Sequence, residues 1–176
     1  MGLVIADDDP RLEDVRALLR RHLTFSHEVT PPGHVHALDI DALLRPSVTF
    51  FSARRDGVLL GIAALKRLDD SHVELKSMHI NEAARGQGIG TAMVEHLLAV
   101  AAARNYARVS LETGTMDAFA PARALYKKIG FLPCEPFAGY TANPNSTCMS
   151  IEIGPRPRHV IAGGVRSRGE TPEVPR

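Results

Sequence analysis

The chain has 176 residues, enough for one domain with a sizeable buried core. Its 21 Lys and Arg against 20 Asp and Glu leave a formal charge of +1, which excludes a global pull toward nucleic acid or an anionic membrane. No apolar run approaches the roughly 18 residues of a spanning helix, and the acidic start "MGLVIADDDP" lacks the basic region of a secretory leader. Cys134 and Cys148 share no CxxC spacing and suit a reducing cytoplasm.

Residues 3–6, "LVIA", read as a first strand. "DDDPRLEDVRALLRRHL" reads as a helix capped by Asp8 or Asp9, with Pro10 in its first turn and Leu12, Val15, Leu18 and Leu19 on one face. "HVHALDIDALL" predicts a short second helix ended by Pro46. Two apolar runs around Asp56-Gly57 predict a hairpin, and "HVELKSMHI" a further strand. Residues 90–106 are a strong helix, with Met93, Val94, Leu97, Leu98 and Ala101 at core spacing. "ARVSLET" is a strand and "APARALYKKIG" a helix with Gly130 as its cap. "FLPCEPF" and "STCMSIEI" close the sheet as an antiparallel pair. The order β-α-α-β-β-β-α-β-α-β-β makes a mixed sheet with helices on its faces. Residues 1–153 form this domain; 154–176, rich in Pro and Arg without periodicity, are expected to be a flexible tail.

The stretch "RGQGIG" holds three glycines between Gly86 and Gly90, between a strand and a helix. A helix N-terminus suits an anion, and glycines let the backbone approach it closely. A dinucleotide fingerprint is excluded by the GxGxG spacing and the position after an antiparallel hairpin. A nucleoside triphosphate loop is excluded because no Gly-Lys-Ser/Thr occurs. By itself the turn names no ligand.

The pattern Arg85-x-x-Gly88-x-Gly90, with "ELKSMHI", "SLETG", "ARALYKKIGF" and "NPNS" in order around it, resembles the GNAT N-acetyltransferase superfamily, and specifically its uncharacterised bacterial enzymes. The likeness runs from about Leu3 to Ile153. It implies a GNAT-like α+β fold: a mixed, mostly antiparallel sheet of six or seven strands flanked by about four helices. It also implies acetyl-CoA as co-substrate, an amine acceptor, no metal, and the homodimers common in the family. By the resemblance, the pyrophosphate rests on amides of Gln87, Gly88, Gly90 and Thr91, with Gly86 and Ile89 shaping the loop. Arg85 adds a charge-assisted contact, and the pantetheine arm pairs with the backbone of Met78, His79 and Ile80.

The resemblance also makes Tyr126 the donor of a proton or hydrogen bond to the departing thiolate, since a phenol stays protonated at neutral pH. A core tyrosine on an amphipathic helix is the competing reading. Glu74 and Glu112 are the candidates to accept the amine's proton, and each can equally be an ion-pair partner, as with Lys76. Strict alternation along the strand puts Glu74, Lys76, Met78 and Ile80 on one face and His79 on the other, in a structural role. His34-x-His36 lacks a third metal ligand, and neither cysteine has the partner an acyl-cysteine route needs. Phe119, Phe137, Tyr140 and Asn143 are expected to wall the acceptor pocket. A non-catalytic acyl-CoA-binding module is the alternative to an enzyme, and the Arg-rich tail leaves nucleic-acid binding a distant third.

Overall fold

The structure, a computed structural model, describes residues 2–31 and 39–154. In chain order it contains β1 (Leu3–Asp7), α1 (Glu13–Val29), α2 (Ile40–Leu43), β2 (Val48–Arg55), β3 (Val58–Arg67), β4 (His72–Ile80), α3 (Ile89–Ala103), β5 (Arg108–Gly114), α4 (Ala120–Ile129), β6 (Leu132–Cys134) and β7 (Ser146–Glu152). The seven strands form one sheet in the order β1-β2-β3-β4-β5-β7-β6, in which only β4 and β5 run parallel. This is the mixed, mostly antiparallel sheet that the resemblance implies. His34, His36 and the tail beyond Gly154 lie outside the described residues.

Alternation along the strands gives each face of the sheet its own core. Phe51, Ala63, Leu65, Leu75, Val109 and Leu111 meet Met93, Val94 and Leu97 of α3, with Tyr126 of α4 and Phe131 beyond it. On the opposite face Phe50, Ile62 and Ala64 pack on Val15, Leu18 and Leu19 of α1 and Leu43 of α2. The β2–β3 turn has Asp56 and Gly57 at φ 52° and 81°, both left-handed, which is the conformation an Asp-Gly hairpin turn needs. Gly130 ends α4 at φ 116°, and the amides of Gly130 and Phe131 return to the Tyr126 carbonyl at 3.2 and 3.0 Å.

The first helix begins later than its acidic leader suggests. Asp8 accepts from Ser52 Oγ at 2.5 Å and from Arg54, while Asp9 accepts from the backbone and guanidinium of Arg11. Both carboxylates are occupied before a helix can use them, so α1 starts at Glu13 without a side-chain cap. Leu12 has an extended backbone there and is exposed, not part of the buried stripe. The helix then continues to Val29, a turn and a half beyond the predicted end.

A bulge in β4 corrects the facing expected from strict alternation. Lys76 pairs with Ala64 and His79 with Ile62, so β4 carries one extra residue between them, and Ser77 sits there at φ 52°. Before the bulge Leu75 faces α3, while Glu74 and Lys76 face α1. After it Met78 and Ile80 pack on the α3 core, and His79 meets α1 through ring contacts with His22 and Phe25. Glu74, Lys76 and His79 therefore share the α1 face, and Met78 and Ile80 do not.

Ser77 is a non-glycine residue held in a left-handed conformation, with its buried hydroxyl unpartnered. Ser77→Gly should keep or raise stability. Ser77→Val, β-branched where φ is positive, should lower it by about 1–3 kcal/mol in urea unfolding. A valine variant as stable as the parent would show that the bulge does not depend on this residue's conformation.

Candidate active site

The glycine-rich turn takes the form that its composition requires. Gly86 and Gly88 have φ of 75° and 77°, and Gly88 caps α3 in the left-handed region. Helix geometry leaves the first-turn amides of α3, from Ile89 to Thr91, without intrahelical acceptors. A Cβ on Gly90 would stand 3.1 Å from Leu125 Cδ2, so this position keeps α3 close to α4. The turn and the end of β4 line a groove with about 1200 Å³ of space including the open solvent at its mouth, floored by Leu125 and Tyr126 of α4. All the residues expected to hold the cofactor border this groove except Gln87, whose side chain turns back to the Ala83 carbonyl and Arg55. Arg85 is exposed, with its guanidinium 3.9 Å from Glu82.

A second cleft opens where β4 and β5 part. The two strands pair only at His72–Arg108, Val73–Val109 and Glu74–Ser110, and beyond that rung they diverge. The gap runs through the sheet: it is bordered by Leu111 and Tyr126 from the α3–α4 side and by His22, Lys76 and Glu112 from the α1 side, with about 740 Å³ of space including its mouth. His22, Met78, Phe119, Ala122 and Tyr126 border both this cleft and the groove, so the two meet around these side chains. Tyr126 is 6% exposed and its hydroxyl lies 3.6 Å from Met78 Sδ. Burial raises its pKa well above that of an ordinary phenol, so the hydroxyl keeps its proton.

The two candidate glutamates sit differently. Glu74 is 1% exposed and accepts from Tyr140 Oη at 2.6 Å and Lys76 Nζ at 3.1 Å. Lys76 also donates to Tyr140 Oη at 2.5 Å, closing a three-membered network. Glu112 borders the cleft itself, on the same face as Glu74, while Glu74 lies behind Lys76. Of the four residues expected around the acceptor, Phe119 borders the cleft and Tyr140 bonds Glu74 and Lys76; Phe137 packs on His72 and Tyr140, and Asn143 braces its own loop against Ser146 while Asn145 reaches the cleft. Burial, followed by the neighbouring Cys134, pushes the Cys148 thiol up to about 11, so it stays protonated and is a poor nucleophile. Among the described residues no group of three or more His, Cys, Asp or Glu is arranged to hold a metal ion.

The geometry adds residues that sequence reading passed over. His22 from α1 meets the His79 ring edge-on at 5.4 Å, and Phe25 reaches Phe119 at 5.3 Å across the mouth. Their signal was the continued helical spacing Val15, Leu18–Leu19, His22, Ser26, which carries the buried stripe of α1 beyond its last leucine. Tyr140 was expected near the acceptor, but its bonds to Glu74 and Lys76 had no sequence signal, because a loop residue's reach depends on the loop's path.

Comparison with known proteins decides the family. The model of the acetyltransferase (GNAT) family matches residues 12–131. The chain belongs to the GNAT acetyltransferase family. It is 41% identical over 146 residues to an uncharacterised N-acetyltransferase of Bacillus subtilis, covering 83% of this chain and 97% of that protein. It is 42% identical over 149 residues to an uncharacterised N-acetyltransferase of Escherichia coli, covering 85% and 94%. A GNAT structure from Elizabethkingia anophelis with acetyl-CoA bound shares the fold at a TM-score of 0.63 and 19% identity, covering 85% of this chain and 97% of that one. This GNAT chain is thus an acyltransferase, and no helix among its described residues is long and apolar enough to cross a membrane.

Both histidines of this GNAT site are neutral at physiological pH. Burial first, then His79 and Lys76, bring His22 down to about 4; burial and then Arg85 bring His79 to about 4. Unfolded, each titrates near 6.5, so between pH 6.5 and 4 the unfolded chain binds more protons. Their contribution is complete above pH 6.5 and is lost as the pH falls toward 4. Unfolding free energy should drop by about 1–3 kcal/mol between pH 7 and 5. His22→Leu should flatten that slope; an unaltered slope would exclude His22 as its source.

Proposed function

We propose that the protein is an acetyl-CoA-dependent N-acetyltransferase that moves an acetyl group to a primary amine by direct attack in a ternary complex, in the cytoplasm. The observation that carries this is the position of Tyr126, a buried, protonated phenol where the groove and the cleft meet. In this reading the pyrophosphate of acetyl-CoA lies on the Gly86–Thr91 turn, with Arg85 beside it, and the pantetheine arm follows the backbone of Met78, His79 and Ile80. Beyond Glu74, β4 has no pairing with β5, which leaves an edge for an amide-rich arm to join.

The amine enters the cleft from the α1 side. Its nitrogen attacks the thioester carbon, forming a C–N bond and a tetrahedral oxyanion. Collapse of that intermediate breaks the C–S bond, and the Tyr126 hydroxyl gives its proton to the departing sulfur. The proton released from nitrogen passes to Glu112, which borders the cleft. Glu74 serves the same step from behind by fixing Lys76 and Tyr140.

Purified protein with acetyl-CoA and a broad amine panel should release CoA. Binding of CoA without release to any amine would replace this reading with a non-catalytic acyl-CoA-binding module. Tyr126→Phe should lower kcat about 100-fold while the acetyl-CoA dissociation constant stays unchanged. Undiminished turnover would remove Tyr126 from the mechanism.

A further inference from the structure

The cleft carries one charge of each sign, one on each lip. The last paired rung of β4 and β5 sets Glu74 against Ser110. Two residues further along each strand, Lys76 and Glu112 stand across the gap on the same α1 face, before the Ser77 bulge ends the alternation. Both border the cleft. The Lys76 side chain is 8% exposed, and it is tied to its own lip by Glu74 Oε1 at 3.1 Å and Tyr140 Oη at 2.5 Å. An ammonium has three N–H donors, and these two bonds leave one of them for an occupant of the cleft.

We propose that the acceptor is an amine that itself carries a carboxylate, of the α-amino acid kind, with its carboxylate on Lys76 and its amine turned toward Glu112. This rests on the acetyl-transfer reading of the same cleft. A fixed ammonium and a carboxylate on the two lips of one cleft match a zwitterion of opposite polarity, and a bond from a charged donor to a carboxylate is the stronger kind. An amine without the carboxylate expels water from Lys76 and leaves that N–H unpaired, which is how a site built for a polar group rejects the analogue lacking it. The Glu74–Lys76 pair is part of this recognition: Glu74 holds the lysine at the cleft wall where the substrate carboxylate would meet it.

The test compares each standard α-amino acid with its α-carboxamide and its decarboxylated amine, reading CoA release by the full-length protein at saturating acetyl-CoA. At least one acid should exceed both analogues by about 10-fold or more in kcat/KM. The carboxamide has the less basic amine and more of it is free at neutral pH, so a preference for the acid runs against simple reactivity. Lys76→Met should bring acid and amide to near parity, and Lys76→Arg should retain the preference. Should the methionine variant fail to fold with Glu74 left unpaired, Glu74→Gln with Lys76→Gln neutralises both partners together, and the same ratio is read within that variant. Turnover of amides and simple amines at the rate of the acids would overturn the substrate class and leave acetyl transfer standing. A preference that survives loss of Lys76 would overturn its role, and silence across the whole panel would overturn both readings.

Discussion

β4 and β5 share hydrogen bonds over three rungs and then separate, and the rest of the site is built around that separation. Parallel strands buried on both faces normally pair along their length, because an unpaired backbone group in the interior costs about as much as a lost hydrogen bond. Here the gap is kept open from both sides: the Ser77 bulge bends β4 away, and Phe119, whose ring would meet a Cβ on Gly114 at 2.4 Å, wedges the end of β5. The opening joins the groove on one face of the sheet to the cleft on the other. The bulge also decides which side chains meet there. Uninterrupted alternation would turn Met78 toward α1 and His79 into the α3 core, and Tyr126 would lose the sulfur it contacts.

The elements beside the gap divide their work by position. Val15, Leu18 and Leu19 anchor the N-terminal half of α1 on β3, and the helix then presents His22 and Ser26 to the cleft and Phe25 to the groove. One helix thus ties the acceptor side to the core, so a change in its packing moves the site as well. On the far lip the β6–β7 loop brings Tyr140 over β5 to the Glu74–Lys76 pair. A buried ion pair of this kind is a weak source of net stability, and breaking one partner away is costly. Its value here is that it fixes an ammonium in one place.

The sequence made legible what depends on local periodicity and turn chemistry. The helix over residues 90–106, the Asp56-Gly57 hairpin, the Gly130 cap and the glycine turn each appear within a few residues of their expected bounds. The groove followed, since backbone groups of a strand end and a helix start largely form it. Three things were not legible for physical reasons. The bulge has serine where glycine would have signalled it, so β4 looks uninterrupted. Asp8 and Asp9 are good helix caps by type, but Ser52, Arg54 and Arg11 hold them, and two of these partners are more than forty positions away. The apolar pattern of α1 stops at Leu23 because the helix passes from core to cleft, where histidine and serine replace leucine on the buried side.

The burial that keeps Tyr126 protonated acts on everything else that enters the junction. The same environment holds His22 and His79 near 4, which means that it penalises an unpaired cation. In the proposed reaction an arriving ammonium meets that penalty too, and burial favours its neutral form. The demand on the proposed base, the half-buried Glu112, is then modest. Lys76, bonded to Glu74, borders the cleft and is the cation proposed to hold an anionic group of the acceptor. In the proposed reaction, the strand separation that admits the donor thus also sets the terms for the acceptor: its nitrogen is favoured as the neutral amine, and its charge is best carried elsewhere on the molecule.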